Sequence, residues 1–192
     1  MKDQDQPPEP SGAPRTIIYR HWQDGDSPEE LTELLHRAFA HLAEMGLRCA
    51  SAYQPPEGTL ARLLQGCSFV AVDNGRLVGA ISVYHPEFDS DSSVYRERGV
   101  ASVHQFGVDP AYQGFGVGDA LLRLAECEAK RQGYTALALD TPEPAQHLHR
   151  FYMHMGFSIV ESLRFAGREY LSVVLKKHLD ARAGLAPALA WL

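Results

Sequence analysis

The sequence predicts an α/β domain, and three observations predict it. Strand-like and helix-like segments alternate through the second half of the chain, and strand–helix–strand units of this kind need helices layered on a sheet. The run TALALD at 135–140 is apolar through its interior, as expected of a parallel strand covered on both faces. Asn74-Gly75 separates two β-branched and apolar runs, which is the strongest short-range hairpin signal. A chain of 192 residues suits one domain with a substantial core.

Taken in order, residues 1–15 are polar with four prolines and cannot offset their ordering entropy, so they are expected to be a disordered tail. The domain is expected to span 16–178. Residues 16–22 read as a first strand. Ser27 fits an N-cap, with Pro28 at the first helical position and Glu30 at the third. Leu31, Leu34, Leu35, Ala38, Phe39 and Leu42 then repeat at helical spacing up to Gly46. Leu60, Leu63 and Leu64 suggest a short second helix closed by Gly66. Residues 68–73 and 77–84 form the hairpin, and 100–108 is a fourth strand. A glycine-led helix runs to about Gln132, where Gly133 stops it. After the strand 135–140 come a helix at 144–155 and two closing strands, 157–165 and 168–175. Residues 179–192 include the apolar AGLAPALAWL, which packs either on the domain or on a second subunit to give a homodimer; the sequence leaves both open.

The segment Val108-Asp-Pro-Ala-Tyr-Gln-Gly-Phe-Gly-Val-Gly118 joins the fourth strand to its helix. A helix start presents unpaired N–H groups and partial positive charge, so this arrangement suits a phosphate. Glycines 114, 116 and 118 let the backbone approach an anion. A Walker A loop needs Gly-Lys-Ser/Thr, and Gly118-Asp119-Ala120 does not supply it. A dinucleotide fingerprint needs G-x-G-x-x-G directly after the strand; here the glycines run G-x-G-x-G after a spacer, although Asp140 imitates the ribose-binding acid. The third pattern, Gln/Arg-x-x-Gly-x-Gly/Ala, is met at every fixed position by Gln113 to Gly118. A glycine turn with no ligand is the plain alternative.

With Val-Asp-Pro-Ala-Tyr before it, this segment resembles motif A of the GNAT superfamily of acyl-CoA-dependent N-acetyltransferases. Phe151-Tyr152-Met153-His154-Met155-Gly156-Phe157 resembles motif B. The family often has Asn seven residues before this tyrosine and Ala four before it, where this chain has Ala145 and Leu148. The match covers roughly 99–175 by motif and 16–86 by order of elements. It implies a GNAT-like fold, a central mixed sheet of six to seven strands flanked by about four helices, and acetyl transfer from acetyl-CoA to a primary amine of a small molecule or peptide. It also implies a cofactor site of Phe106, Val108, Gln113, Gly114, Phe115, Gly116, Val117, Gly118 and Tyr152. In it the loop N–H groups bind the pyrophosphate and the Val108 N–H polarises the acyl carbonyl.

Such a reaction needs a base for the amine, a donor for the oxyanion and a proton for the departing thiolate. Tyr152 aligns with the family's usual general acid, since a phenol of pKa about 10 is protonated at neutral pH. It also lies on a helical stripe with Leu148, Phe151 and Met155, which a core residue would do. Strand alternation puts His104, Phe106 and Val108 on one face, and a neutral imidazole suits a base. Some family members have a catalytic histidine at this position. Others have a glutamate two residues earlier, where Ser102 stands, and many use a water chain. A structural His104 therefore stays open. Two other readings stay open as well: a catalytically silent acyl-CoA-binding or regulatory module, and a nicotinamide-dinucleotide oxidoreductase.

His147, His149 and His154 have no pair at i,i+3 or i,i+4, so a solvated helix face is expected rather than a metal site. Net charge of −6 argues against nucleic acid as a partner. No segment approaches the roughly 20 apolar residues of a membrane span, and the N-terminus has no signal-peptide core. Cys49, Cys67 and Cys127 form no C-x-x-C pair and read as free thiols in the cytoplasm, with Cys127 packed in the core. The acceptor would be set by the first helices, by the polar loop 85–99 as a mobile segment, and by the last strands.

Overall fold

The computed structural model describes residues 16–180. The tail expected at 1–15 lies outside the described residues, as do residues 181–192. Among the described residues seven strands form one sheet in the order β1-β2-β3-β4-β5-β7-β6. They are β1 (Ile18–His21), β2 (Gly66–Asp73), β3 (Arg76–Tyr84), β4 (Val100–Val108), β5 (Ala136–Pro142), β6 (Ser158–Leu163) and β7 (Ser172–His178). Every neighbouring pair is antiparallel except β4–β5. Among the described residues the α-helices are α1 (Pro28–Glu44), α2 (Pro56–Leu63), α3 (Val117–Arg131) and α4 (Gln146–His154).

Helices cover both faces. Leu31, Leu34 and Leu35 of α1 and Leu63 of α2 pack on Val70, Val72, Leu77 and Ala80. On the other face Val117, Leu121, Leu122, Ala125 and Ala129 of α3, with Tyr152 of α4, pack on Phe69, Ala71, Val78, Ile81 and Val83. β5 divides its side chains between two clusters, Leu137 and Leu139 on the α3 side and Ala136 and Ala138 on the other, so a fully apolar run is buried on both faces.

The local signals act much as their chemistry requires. Ser27 Oγ accepts from the Glu30 N–H, while the Glu30 carboxylate accepts from the Leu77 N–H and so ties α1 to β3. Gly46, at φ +77°, ends α1 with paired bonds from the Gly46 N–H to Ala43 and the Leu47 N–H to Leu42. Asn74 (φ 49°) and Gly75 (φ 80°) turn the β2–β3 hairpin.

Several expectations are corrected. Gly66 opens β2 instead of closing α2, because an added Cβ there would collide with the Val83 carbonyl across the sheet. The closing strands are shorter and shifted, since residues 164–171 are pulled out of the ladder. There the Ala166 N–H donates to Asp91 and the Arg164 guanidinium to the Glu169 carbonyl, and Arg168 pairs with Asp140. Cys127 is exposed, because α3 buries the opposite face, Leu121, Leu122, Ala125, Glu128 and Ala129. His149 is buried with Nε2 3.1 Å from the Pro142 carbonyl, so the solvated-face reading fails there while His154 stays exposed. Loop 85–99 is anchored: Val94 and Tyr95 are buried, and Glu161 accepts from Ser92 and Ser93.

Candidate active site

β4 and β5 are paired only at their starts, Val100↔Ala136 to Ser102↔Ala138. Beyond Ser102 they part, and a cleft of about 790 Å³ opens between them. Its walls include residues 103–108 of β4, Leu139 to Pro142 of β5, the glycine loop, Tyr152, Cys49–Ser51 and Arg62 before and within α2, and Arg168 and Tyr170 from the β6–β7 turn.

A bulge in β4 decides which side each residue serves. Ala80 faces Gly107 and Ser82 faces His104, so Ile81 stands opposite two residues. Gln105 takes φ +47°, a strained conformation for a side-chain-bearing residue. Its buried amide offsets that strain through bonds with Gln54 Nε2 (2.6 Å) and the Thr59 carbonyl (3.3 Å) on α2. The extra residue inverts the alternation. Phe106 and Val108 join the α3-side cluster, whereas His104 stacks on Tyr84, whose hydroxyl donates to the Arg62 carbonyl of α2. The expectation that His104 shares a face with Phe106 and Val108 is therefore wrong, yet all three line the cleft because it passes through the opened sheet.

On the α3 side, Gly114 (φ 78°) and Gly116 (φ 79°) carry the chain into the helix, with Gly116 as an N-cap that has no side-chain bond. Among the described residues, no acceptor meets the N–H groups of Gly114, Gly116, Val117, Gly118 or Asp119. Val117 is buried beneath the loop and Phe115 is exposed on it. Gln113 Nε2 donates to the Val108 carbonyl at 3.2 Å, so its side chain fastens loop to strand. Asp109 holds the other end, accepting from the Ala111 N–H at 3.0 Å and pairing with Arg37 at 2.9 Å. The Asp109 N–H donates to Val78 on β3, which turns the adjacent Val108 N–H toward the opened edge. A built anion cradle and a free strand edge fit the phosphates and the extended arm of an acyl-CoA.

Tyr152 packs against Phe106, Phe151 and Phe157 with ring centroids 5.2–6.3 Å apart. Burial, and then the charge of Asp140, push its phenol well above the ordinary value, which keeps it protonated. Its hydroxyl has no hydrogen-bond partner among the described residues. The Thr141 hydroxyl, on the same cleft wall, is buried and also has no partner among the described residues. Tyr152 is thus a packed residue that also faces the cleft.

On the α1–α2 side, His104 Nε2 lies 2.7 Å from Glu87 Oε1 and 3.1 Å from Ser102 Oγ, and the Ser102 hydroxyl donates to the same Glu87 oxygen. Burial alone would raise the Glu87 carboxyl, but the bonds and charge from His104 and Ser102 outweigh it and hold it below its ordinary value. An ionised carboxylate only accepts, so Nε2 carries a proton toward it, and in the neutral form of the ring Nδ1 is left as the acceptor. Sequence reasoning named His104 and Ser102 but missed Glu87, Asp140 as a structural pair, and Arg168. Glu87 sits in a polar loop without a motif, and no local pattern links it to a strand 17 residues away. Asp140, the imitator of a ribose-binding acid, is engaged by Arg168 and by the Tyr95 hydroxyl at 3.1 Å, and nothing supports the dinucleotide reading.

A seven-stranded sheet that opens at its one parallel pair, with a helix N-terminus at the opening, defines an acyl-CoA-dependent transferase fold. The chain belongs to the acetyltransferase (GNAT) family, whose model matches residues 29–157. It is similar to the S-(2-succino)cysteine N-acetyltransferase of Bacillus subtilis, 26% identical over 153 residues that cover 79% of this chain and 90% of that one. It is 30% identical over 164 residues to the mycothiol acetyltransferase of Propionibacterium freudenreichii subsp. shermanii. That match covers 81% of this chain but spans about half, 47%, of the longer relative. Among solved structures, yncA of Salmonella typhimurium with its cofactor acetyl-CoA superposes with a TM-score of 0.64 at 21% identity, covering 91% of this chain and 99% of that one. The protein is an acyl-CoA-dependent N-acyltransferase.

Proposed function

We propose that the protein transfers an acetyl group from acetyl-CoA to a primary amine of a small molecule or peptide. The observation that carries this reading is the through-cleft between β4 and β5, with unpaired helix N–H groups at one mouth and the Glu87–Ser102–His104 group at the other. Acetyl-CoA would supply the activated acyl group. The N–H groups of residues 114–118 hold its pyrophosphate, with Phe106 beside the arm and the Val108 N–H donating to the acyl oxygen. His104 Nδ1 takes the proton of the amine, whose nitrogen bonds to the acyl carbon as the C–S bond breaks. The Tyr152 hydroxyl gives its proton to the leaving sulfur. The products are the amide and CoA. No step of this scheme calls on a metal. Among the described residues no helix is long and apolar enough to cross a membrane. A cytoplasmic location belongs to this reading and is supported by the three free cysteines, which suit a reducing compartment.

The named activity of the Bacillus subtilis relative supports an amine acceptor. Release of CoA thiol, followed with acetyl-CoA and a panel of polyamines, amino acids, aminoglycosides and peptide N-termini, tests the reading. Turnover with at least one amine supports transfer; binding of acetyl-CoA without turnover on any of them would favour the silent module.

A further inference from the structure

The acceptor mouth of the cleft carries two guanidinium groups, Arg62 and Arg168, and one carboxylate, Asp140, among its lining side chains. Arg168 is held in one plane. Its Nη1 donates to Asp140 and, at 3.0 Å, to Ser172 Oγ, and its guanidinium lies 4.5 Å from the Phe165 ring centroid and 5.9 Å from that of Tyr170. Among the described residues Nε and Nη2 have no hydrogen-bond partner, and the side chain is 32% exposed. A stacked, ion-paired guanidinium with one edge free is a pre-set two-donor fork, and that edge matches a carboxylate. The ordering entropy of the long side chain is already spent in the fold.

His104 lines the same cleft. The Tyr95 ring lies edge-on to it at 5.8 Å, and the Tyr95 hydroxyl reaches Asp140, the partner of Arg168. Both ends of a short zwitterion thus find complements in one mouth: a fixed cation for a carboxylate, and an imidazole backed by Glu87 for an ammonium. Resting on the acetyl-transfer reading above, we propose that the acceptor is an amine that also bears a carboxylate, an amino acid or a small derivative of one, with Arg168 gripping the carboxylate while the amine faces His104. Arg168 is then a specificity-determining residue, and Asp140 holds it in position.

The test compares amino acids with their carboxamides, with kcat/KM expressed per unprotonated amine so that the differing amine pKa values cancel. The wild-type protein should prefer the acid by about 10-fold or more, since the carboxamide offers the two-donor fork only one acceptor oxygen and no charge. Arg168→Lys keeps the charge beside Asp140 but loses the fork, and should lower the acid-to-amide ratio about 10-fold, chiefly through KM. Arg168→Gln is the second variant, and thermal melting of each variant reports on folding. A dead-end readout is independent of turnover: with CoA bound, the acid but not the amide should raise the melting temperature. Equal use of acid and amide by the wild type, or a ratio that both variants leave unchanged, overturns the proposal. Turnover confined to amines without a carboxylate overturns it and leaves acetyl transfer standing; if acetyl-CoA itself gives no melting shift, acetyl transfer falls as well.

Discussion

Single side chains carry the proposed chemistry. Tyr152 is buried, protonated and aimed at the cleft, so Tyr152→Phe removes one hydroxyl and keeps the ring packing. If the hydroxyl protonates the leaving thiolate, kcat should fall about 10²- to 10⁴-fold, while acetyl-CoA still raises the melting temperature as in the wild type. A variant that turns over normally but melts lower would make Tyr152 a core residue only. His104 and Glu87 form a pair that can be split. His104→Gln should flatten the acidic limb of the kcat/KM profile. Glu87→Gln removes the carboxylate that orients the ring through Nε2 and should lower kcat while the acetyl-CoA melting shift is retained. An acidic limb that survives His104→Gln would leave the amine to lose its proton to water. The sequence named Tyr152 through the resemblance to motif B, while its helical stripe suited a core residue equally, and named His104 through strand alternation together with that resemblance. It placed His104 on the wrong face, since one inserted residue, Gln105, is invisible to a period-two pattern.

At the scale of elements, α3 is the proposed binding device. Its first turn offers N–H groups without acceptors, and Gly116 takes a left-handed conformation at the cap. At 100 times Kd the cofactor should stabilise the protein by about 2.7 kcal/mol. Gly116→Glu brings a negative charge to the anion site and should abolish that gain in a thermal-shift titration. Gly116→Ala, which adds the same backbone strain without the charge, should retain most of it, and equal loss in both variants would assign the effect to strain. The far end of α3 is fixed by Glu128, where hydrogen bonds from Arg131 lead, despite some desolvation, and lower its carboxyl from the ordinary 4.5 to about 2. The unfolded chain therefore binds the proton more readily between those values. This contribution to stability is full above about pH 4.5 and is lost as the pH falls toward 2. Glu128→Gln should flatten the fall of unfolding free energy over that window, and an unchanged slope in acid would show that the pair contributes nothing. The glycine loop and the caps of α1 were readable because such signals are local, whereas Gly66 shows the limit: a glycine after a helix reads as a stop until a neighbouring strand supplies the clash that explains it.

At the scale of the molecule, two layers of helix hold a sheet that is continuous at one end of the β4–β5 pair and open at the other. Leu121 is fully buried where α3 meets β3, so close that a Cβ at Gly79 would lie 2.9 Å from its Cδ1. Leu121→Ala should cost about 2–5 kcal/mol in urea unfolding with the slope m retained; a loss below about 1 kcal/mol would mean that the layers re-close over the gap. By itself the sequence determined the succession of strands and helices, the hairpin at Asn74-Gly75, the glycine-led helix start and the presence of Tyr152 on an inward stripe. These follow from hydrogen-bond periods, capping chemistry and allowed φ, all set within a few neighbouring residues. Tertiary structure alone decided that β4 and β5 part after Ser102, that the bulge turns His104 to the α1–α2 side, and that Glu87 pairs with His104 and Arg168 with Asp140 from separate loops and strands. Those outcomes depend on register and on contacts between distant segments, which no local pattern records, because a side chain's partner across a cleft is chosen by how the layers close.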